Sequence, residues 1–241
     1  MSLAVQALLA SLATLLGGWM VVRFLQGRAS TMRLISGIAA GYLLSAALVR
    51  IIPESLEQGG EGTAFWVLGG FLLVHVMEHG ITIHFHYGEE THMEGGPMTG
   101  IMALVGLSLH SFMDGLALAA AVRSSSNLGL FMFMALILHR IPEGATISSI
   151  FLARGYGRRG ALLASAGLAV ATLIGAMSQS AMHLNPAPVL AMAGGLVIYV
   201  ASSDLLPEAQ KEKGWKSTLA LLIGFGLFLA TQLIAPHQHG G

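Results

Sequence analysis

The chain has 241 residues, of which 10% are charged and 54% hydrophobic, with a mean hydropathy of +0.73. That profile excludes an ordinary soluble domain, and apolar runs of about 20 residues recur along the whole length, leaving no room for a separate soluble unit. Basic and acidic residues balance at 12 each, no basic block invites nucleic acid, and the absence of cysteine removes disulfides and thiolate metal sites.

The pattern predicts an all-α polytopic membrane protein with eight transmembrane helices, at roughly 3–22, 34–53, 64–84, 98–122, 128–152, 160–182, 187–207 and 216–235. The first span follows Met1 with neither a basic region nor a small-residue cleavage site, so it reads as a retained helix. A loop with Arg23, Arg28 and Arg33 follows it. The second span closes on RIIPE, with Arg50, Pro53 and Glu54. The third carries His75, Glu78 and His79 as HVMEH and runs into a segment with His84, His86 and His92 among acidic residues. A histidine- and carboxylate-rich segment of this kind suits metal reception or sensing, and a solvated loop has the same composition. The fourth and fifth spans meet across a tight RSSSN turn. Arg154, Arg158 and Arg159 follow the fifth, the loop NPAP follows the sixth, and the seventh closes on DLLPE, with Asp204 and Glu208 placed as candidate ion guides. Lys211, Lys213 and Lys216 precede the last span.

The basic loops after spans one, five and seven lie on one side of the membrane, and the positive-inside rule makes that side cytoplasmic. Both termini are then extracytoplasmic. The endings RIIPE and DLLPE close oppositely directed spans, as do HSFMDG and HRIPEG, which points to an inverted repeat of the kind secondary transporters use.

The chemistry concentrates between His110 and Gly144. His110 precedes Asp114 by four residues on the fourth span, and His139 precedes Glu143 by four on the fifth. Residues four apart share a helix face, so each helix presents an imidazole and a carboxylate together. Ionisable groups inside a membrane are costly unless they face a partner, water or an ion. Two nitrogens and two carboxylates suit Zn²⁺, and Fe²⁺, Mn²⁺, Co²⁺ or Cd²⁺ can use the same set. No organic cofactor is expected. The bland alternative is a set of buried polar residues gluing helices together. Pro142 deprives the Leu138 carbonyl of its helix partner, which either exposes that carbonyl to a cavity or only bends the helix. Gly115 and Gly144 remove bulk beside the acids, for close helix packing or for an approaching ion. Adjacent residues on a helix lie about 100° apart, so Arg140 is expected to line the cavity beside the ligands rather than to point wholly among them. Three functions fit these residues: metal uptake, a membrane di-iron enzyme built on HVMEH and the central pairs, or a metal sensor.

These motifs resemble those of a prokaryotic member of the ZIP (Zrt/Irt-like) family of divalent metal transporters, and the resemblance extends over nearly the whole chain. The fourth span carries His110, Ser111, Asp114 and Gly115, and the fifth carries His139, Arg140, Pro142, Glu143 and Gly144. The resemblance implies a primary metal site at His110, Asp114, His139 and Glu143. The second metal site of many members would use Ser111 and Arg140, and arginine has no acceptor. That departure implies a single ion, with Arg140 as a charge substitute. Arg50 likewise replaces a family histidine. The resemblance further implies one transporter domain over 1–241, a transport unit of spans one, four, five and six sliding as an elevator against a scaffold of spans two, three, seven and eight, and a cytoplasmic His-rich loop at 85–97. It also implies a homodimer in the lipid bilayer of the inner membrane, carrying zinc toward the cytoplasm. His75, Glu78, His79, His84, His86, His92, Asp204 and Glu208 remain candidate auxiliary metal contacts.

Overall fold

The computed structural model describes residues 1–25, 29–77 and 97–234, which are helical nearly throughout and contain no strand. Helix α1 (Leu3–Met20) continues into a π-helical turn at Val21–Leu25. Helix α2 (Ala29–Ala46), a π turn at Ala47–Ile51 and α3 (Ile52–Gly59) form one unbroken rod, and α4 (Ala64–Val76) follows. Helices α5 (Pro97–Ser124) and α6 (Ser126–Ala153) are separated by Ser125 alone. Its extended backbone breaks the helix, and its hydroxyl accepts from the Leu128 amide at 3.1 Å as an N-cap. Helix α7 (Gly157–Met182) leads to α8 (Pro186–Tyr199), which Asn185 caps through the Ala187 amide at 3.1 Å, with Pro186 at the first helical position. A π turn at Val200–Leu205, α9 (Leu206–Gln210) and α10 (Lys216–Ile234) complete the chain.

Seven of these helices or continuous rods are long and apolar enough to cross a membrane, and a shorter apolar helix covers Glu61–Val76. The expected third span therefore falls on α4 and runs on beyond the described residues. Large side chains such as Leu8, Leu12, Leu16, Leu72, Leu222 and Leu229 are exposed. Apolar residues outside as well as inside are what helices surrounded by lipid require.

The inverted repeat is physical. Pro53 and Pro207 cannot donate to the helix ladder, and each is preceded by a π turn. There the Ile52 amide reaches back five residues to the Ala47 carbonyl, and the Leu206 amide reaches the Ala201 carbonyl in the same way. Gly41, Pro53, Glu54 and Gly70 recur at one constant offset as Gly195, Pro207, Glu208 and Gly224.

Among the described residues, four helix pairs are locked by reciprocal glycines. A Cβ on Gly17 of α1 would strike the Ile141 carbonyl of α6, and one on Gly144 of α6 would strike the Thr14 carbonyl of α1. The same two-way contact joins Gly115 of α5 to Thr172 and Gly175 of α7 to Phe112. It joins Gly41 of α2 to Leu221 and Gly224 of α10 to Ile38, and Gly70 of α4 to Met192 and Gly195 of α8 to Val67. In every case the carbonyl struck lies three residues before the partner glycine. Thr14 lies against Gly144 and Gly18 against Ser148, so α1 and α6 run the same way. Small residues at a crossing let two backbones touch, which is how helices associate where lipid supplies no hydrophobic drive. The repeat exchanges these pairs: α1 with α6 corresponds to α7 with α5, and α2 with α10 to α8 with α4.

The helices gather into two groups. Helices α1, α5, α6 and α7 pack on one another, while α2 packs on α10 and α8 on α3 and α4; the groups meet chiefly where α2 faces α6 and α5 faces α8. An alanine-rich core runs along this meeting surface, with Tyr42, Leu43, Ala117, Leu118, Phe131, Leu136 and Leu196 buried in it. Arg50 is buried there, its guanidinium carbon 4.9 Å from the centre of the Phe131 ring, a cation–π contact across the two groups.

Candidate metal site

Helices α5 and α6 are long enough to carry their central motifs deep into the bundle. His110, Asp114, His139 and Glu143 are each at most 8% exposed, and one ligand atom from each lies within 4.8 Å of the others. The two glycines beside the acids explain the positioning. Gly115 seats α5 on α7 and Gly144 seats α6 on α1, while the preceding acid, rotated by about 100°, faces the opposing helix. The structure thus answers one open question from the motif: these glycines serve backbone contact between helices.

Asp114 Oδ2 is the hub. His110 Nε2 lies 3.2 Å from it, His139 Nε2 3.0 Å and an Arg140 Nη2 2.9 Å. His139 Nδ1 lies 2.8 Å from the Ala135 carbonyl, which can only accept, so Nδ1 carries a proton. In the neutral ring Nε2 then presents a lone pair toward a carboxylate oxygen. Two acceptors at that distance need a cation between them, either a proton or a metal ion. His110 Nδ1 is buried without a hydrogen-bond partner. Tetrahedral zinc with bonds of about 2.0–2.1 Å sets its ligand atoms about 3.3–3.4 Å apart. The four side chains would therefore close by about 1.5 Å at most to hold one.

Arg140 is fully buried and lies inside this cluster, not beside it. Its Nη1 donates to Glu143 Oε2 at 2.6 Å and to Ser111 Oγ at 2.5 Å, and its Nη2 donates to Asp114 Oδ2 and to the Ser111 carbonyl at 3.2 Å. The adjacent-residue argument concerns only where Cβ points. Arg140 is three residues from Glu143, on a shared face, and its long stem returns the guanidinium to the ligands. Ser111 relays the contact, accepting from Arg140 and donating to Glu143 Oε1 at 2.9 Å. Pro142 is buried in α6, which continues unbroken through it.

The remaining sequence candidates lie elsewhere. His75 sits on α4 with its ring 5.9 Å from that of Tyr199 on α8. Asp204 is buried in the π turn before α9. Glu208 pairs with Arg33 at 3.3 Å and with Lys211 at 2.9 Å, tying the start of α2 to α9. Nothing in the sequence announced the Arg33 contact, which joins residues far apart in the chain. Glu78, His79, His84, His86 and His92 lie outside the described residues, as does the loop 85–97 up to Pro97, which opens α5. Among the described residues, the central four are the group able to hold a metal ion.

A bundle of apolar helices around buried histidines and carboxylates defines a polytopic membrane protein with an intramembrane cluster chemically suited to a cation. Residues 86–232, more than half of the chain, match the family described as ZIP Zinc transporter, and the chain belongs to that family. The family consists of transporters, not enzymes, and this displaces the di-iron reading of HVMEH. Among similar proteins, Zinc transporter ZIP13 of Pongo abelii is 28% identical over 207 residues, covering 77% of this chain and 61% of that protein. Putative zinc transporter At3g08650 of Arabidopsis thaliana is 27% identical over 195 residues, covering 73% of this chain and 30% of that protein. Human Zinc transporter ZIP4 is 36% identical over 125 residues, covering 51% of this chain and 19% of that protein. The chain thus spans less than two thirds of the length of each.

Proposed function

We propose that this protein carries divalent metal ions, zinc foremost, across a cell membrane toward the cytoplasm, binding one ion per protomer at His110, Asp114, His139 and Glu143. The observation that carries the reading is the convergence of these four side chains, buried and within 4.8 Å, deep in apolar helices. The names of the similar proteins support zinc as cargo. Cd²⁺, Fe²⁺, Mn²⁺ and Co²⁺ share enough ligand preference to be tested beside it. Occupation of the adjacent position by the Arg140 guanidinium supports a single ion.

The two helix groups support an elevator in which α1, α5, α6 and α7 form the transport unit and α2, α3, α4, α8, α9 and α10 the scaffold. All four reciprocal glycine contacts lie within groups. Helices locked backbone to backbone move together, and the surface between the groups, which carries no such lock among the described residues, is the natural plane of sliding. The basic loops orient both termini outward in the prokaryotic inner membrane. A homodimer completes the reading, with the apolar exterior embedded in lipid.

The test is uptake into proteoliposomes of Zn²⁺, Cd²⁺, Fe²⁺ and Mn²⁺ in parallel, by the wild type and by His110→Ala, Asp114→Ala, His139→Ala and Glu143→Ala. Each variant should lose at least tenfold in uptake per folded protein. Near-normal transport in all four would refute the site.

A further inference from the structure

We infer that Arg50 and Phe131 form a one-sided clasp between the two helix groups, which favours the end state of the carrier seen in this structure over the opposite one. The inference rests on the reading above in which α1, α5, α6 and α7 slide against the other helices.

Arg50 lies in the π turn before Pro53 and is 6% exposed. A guanidinium keeps its charge, and a charge among apolar helices is costly unless a partner meets it. Phe131, fully buried in the second turn of α6, meets it with the face of its ring, whose centre lies 4.9 Å from the guanidinium carbon. The same ring packs on Phe228 of α10, centre to centre at 5.6 Å. Phe131 belongs to the sliding group, and both residues that hold it belong to the scaffold. It stands eight residues from His139, about 12 Å along the helix, so the contact is separate from the metal site. A second contact between the groups joins the end of α5 to α3, where Ser124 Oγ donates to Gln58 Oε1 at 3.0 Å.

The Arg50 contact depends on position. Much of the meeting surface is alanine, whose short side chains slide past one another without catching. Cation–π attraction, in contrast, reaches only about 6 Å from the ring centre. A sideways shift of one helical turn, about 5.4 Å, would carry the guanidinium from 4.9 Å to about 7 Å and break the contact.

The inverted repeat makes the clasp one-sided. In a carrier built from such repeats the opposite end state follows when the two halves exchange roles. A contact that both halves can make leaves the two states balanced. Here the offset that pairs Pro53 with Pro207 carries Arg50 to Asp204, and the register that aligns HSFMDG with HRIPEG carries Phe131 to Met102. An aspartate and a methionine cannot form a cation–π pair. Gln58 and Ser124 map in the same way to Glu212 and Ala153, and alanine has no hydroxyl to donate. Neither contact has a counterpart to form in the opposite state, so both weight the equilibrium toward the state that contains them.

The chain contains no cysteine, so spin labels at Arg123→Cys on α5 and Trp215→Cys before α10, both exposed positions, report the separation of the groups. The measurement is pulsed electron resonance on the full chain in lipid nanodiscs without metal. The structure fixes the separation expected for its own state, and that component should dominate in the background carrying only the two labels. Phe131→Leu and Arg50→Gln should each lower its ratio to the other component at least threefold, and together should fall short of the product of the single shifts. Phe228→Leu, which leaves the guanidinium on its ring, should shift the ratio less than Phe131→Leu, a comparison that stands even if Arg50→Gln does not fold. An unchanged ratio in Phe131→Leu and Arg50→Gln, shifts that simply multiply in the double variant, or equal shifts in Phe228→Leu and Phe131→Leu would each overturn the clasp. A single separation in every variant, with and without Zn²⁺, would instead refute the sliding of the two groups.

Discussion

Two glycines on α10 offer a controlled measurement of what the reciprocal crossings contribute. Gly224 faces α2: an added Cβ would strike the Ile38 carbonyl oxygen and would lie 2.8 Å from the Tyr42 amide nitrogen and 3.0 Å from the Ile38 carbonyl carbon. Ordinary van der Waals contact begins at 3.4 Å. The atoms in the way are backbone, which cannot rotate aside, so the two helices must separate. Separation also loosens the Tyr42–Thr231 hydrogen bond at 3.3 Å and the edge contact of Tyr42 with Phe228. Gly226, two residues along from Gly224, has nothing within 4 Å. Both substitutions to alanine gain the same helix propensity, about 1 kcal/mol. That gain cancels in the comparison and leaves the overpacking cost of about 1–3 kcal/mol. Gly226→Ala is expected to be neutral or stabilising, and Gly224→Ala to be less stable than it by that difference. The assay is the unfolding midpoint in mixed micelles as denaturing detergent is titrated in, read by helical circular dichroism. Equal midpoints would refute backbone contact at this crossing, and with it the basis for treating the locked pairs as rigid.

Further outcomes follow from the same geometry. Gly144→Ala should push α6 off the Thr14 backbone, displace Glu143 and lower Zn²⁺ affinity about tenfold by calorimetry. Gly167→Ala, whose Cβ would meet only Leu104 Cδ1 at 3.6 Å, should bind normally; equal affinities would remove the glycine from the site's support. Ser125→Ala should cost about 1 kcal/mol of stability through the lost cap of α6, and an unchanged thermal midpoint would show that the cap is idle. Protons compete with the metal for imidazole and carboxylate ligands, so Zn²⁺ affinity should fall on acidification through the range near 6.5 where free histidine titrates; a flat calorimetric profile would argue against histidine ligation. Glu208→Gln loosens only the partly exposed pairs with Arg33 and Lys211, worth at most about 1 kcal/mol, and should leave uptake within twofold of normal. A tenfold loss would assign Glu208 to the ion path.

Much of this protein is written in the order of its residues, and the reason is the solvent. A helix in lipid must satisfy every backbone group within itself. The apolar runs therefore mark the helices almost directly, and a His–acid pair four residues apart must share a face. Local chemistry likewise set the proline-linked endings at Pro53 and Pro207, although the π turns that precede them are visible only in the folded backbone. Which helices touch is another matter. Thirty-one glycines stand in the sequence, and the repeat offset that matches Gly224 to Gly70 and leaves Gly226 unmatched does not say that Gly224 presses against Ile38 while Gly226 faces open space. Partner choice between helices far apart in the chain decides that. Arg140 is the sharpest case. Helix periodicity fixes the direction of its Cβ, but a long stem can bend back, and only the approach of α5 put Ser111 and Asp114 within its reach. The ligands belong to local spacing; the cation that sits among them belongs to the packing of two helices.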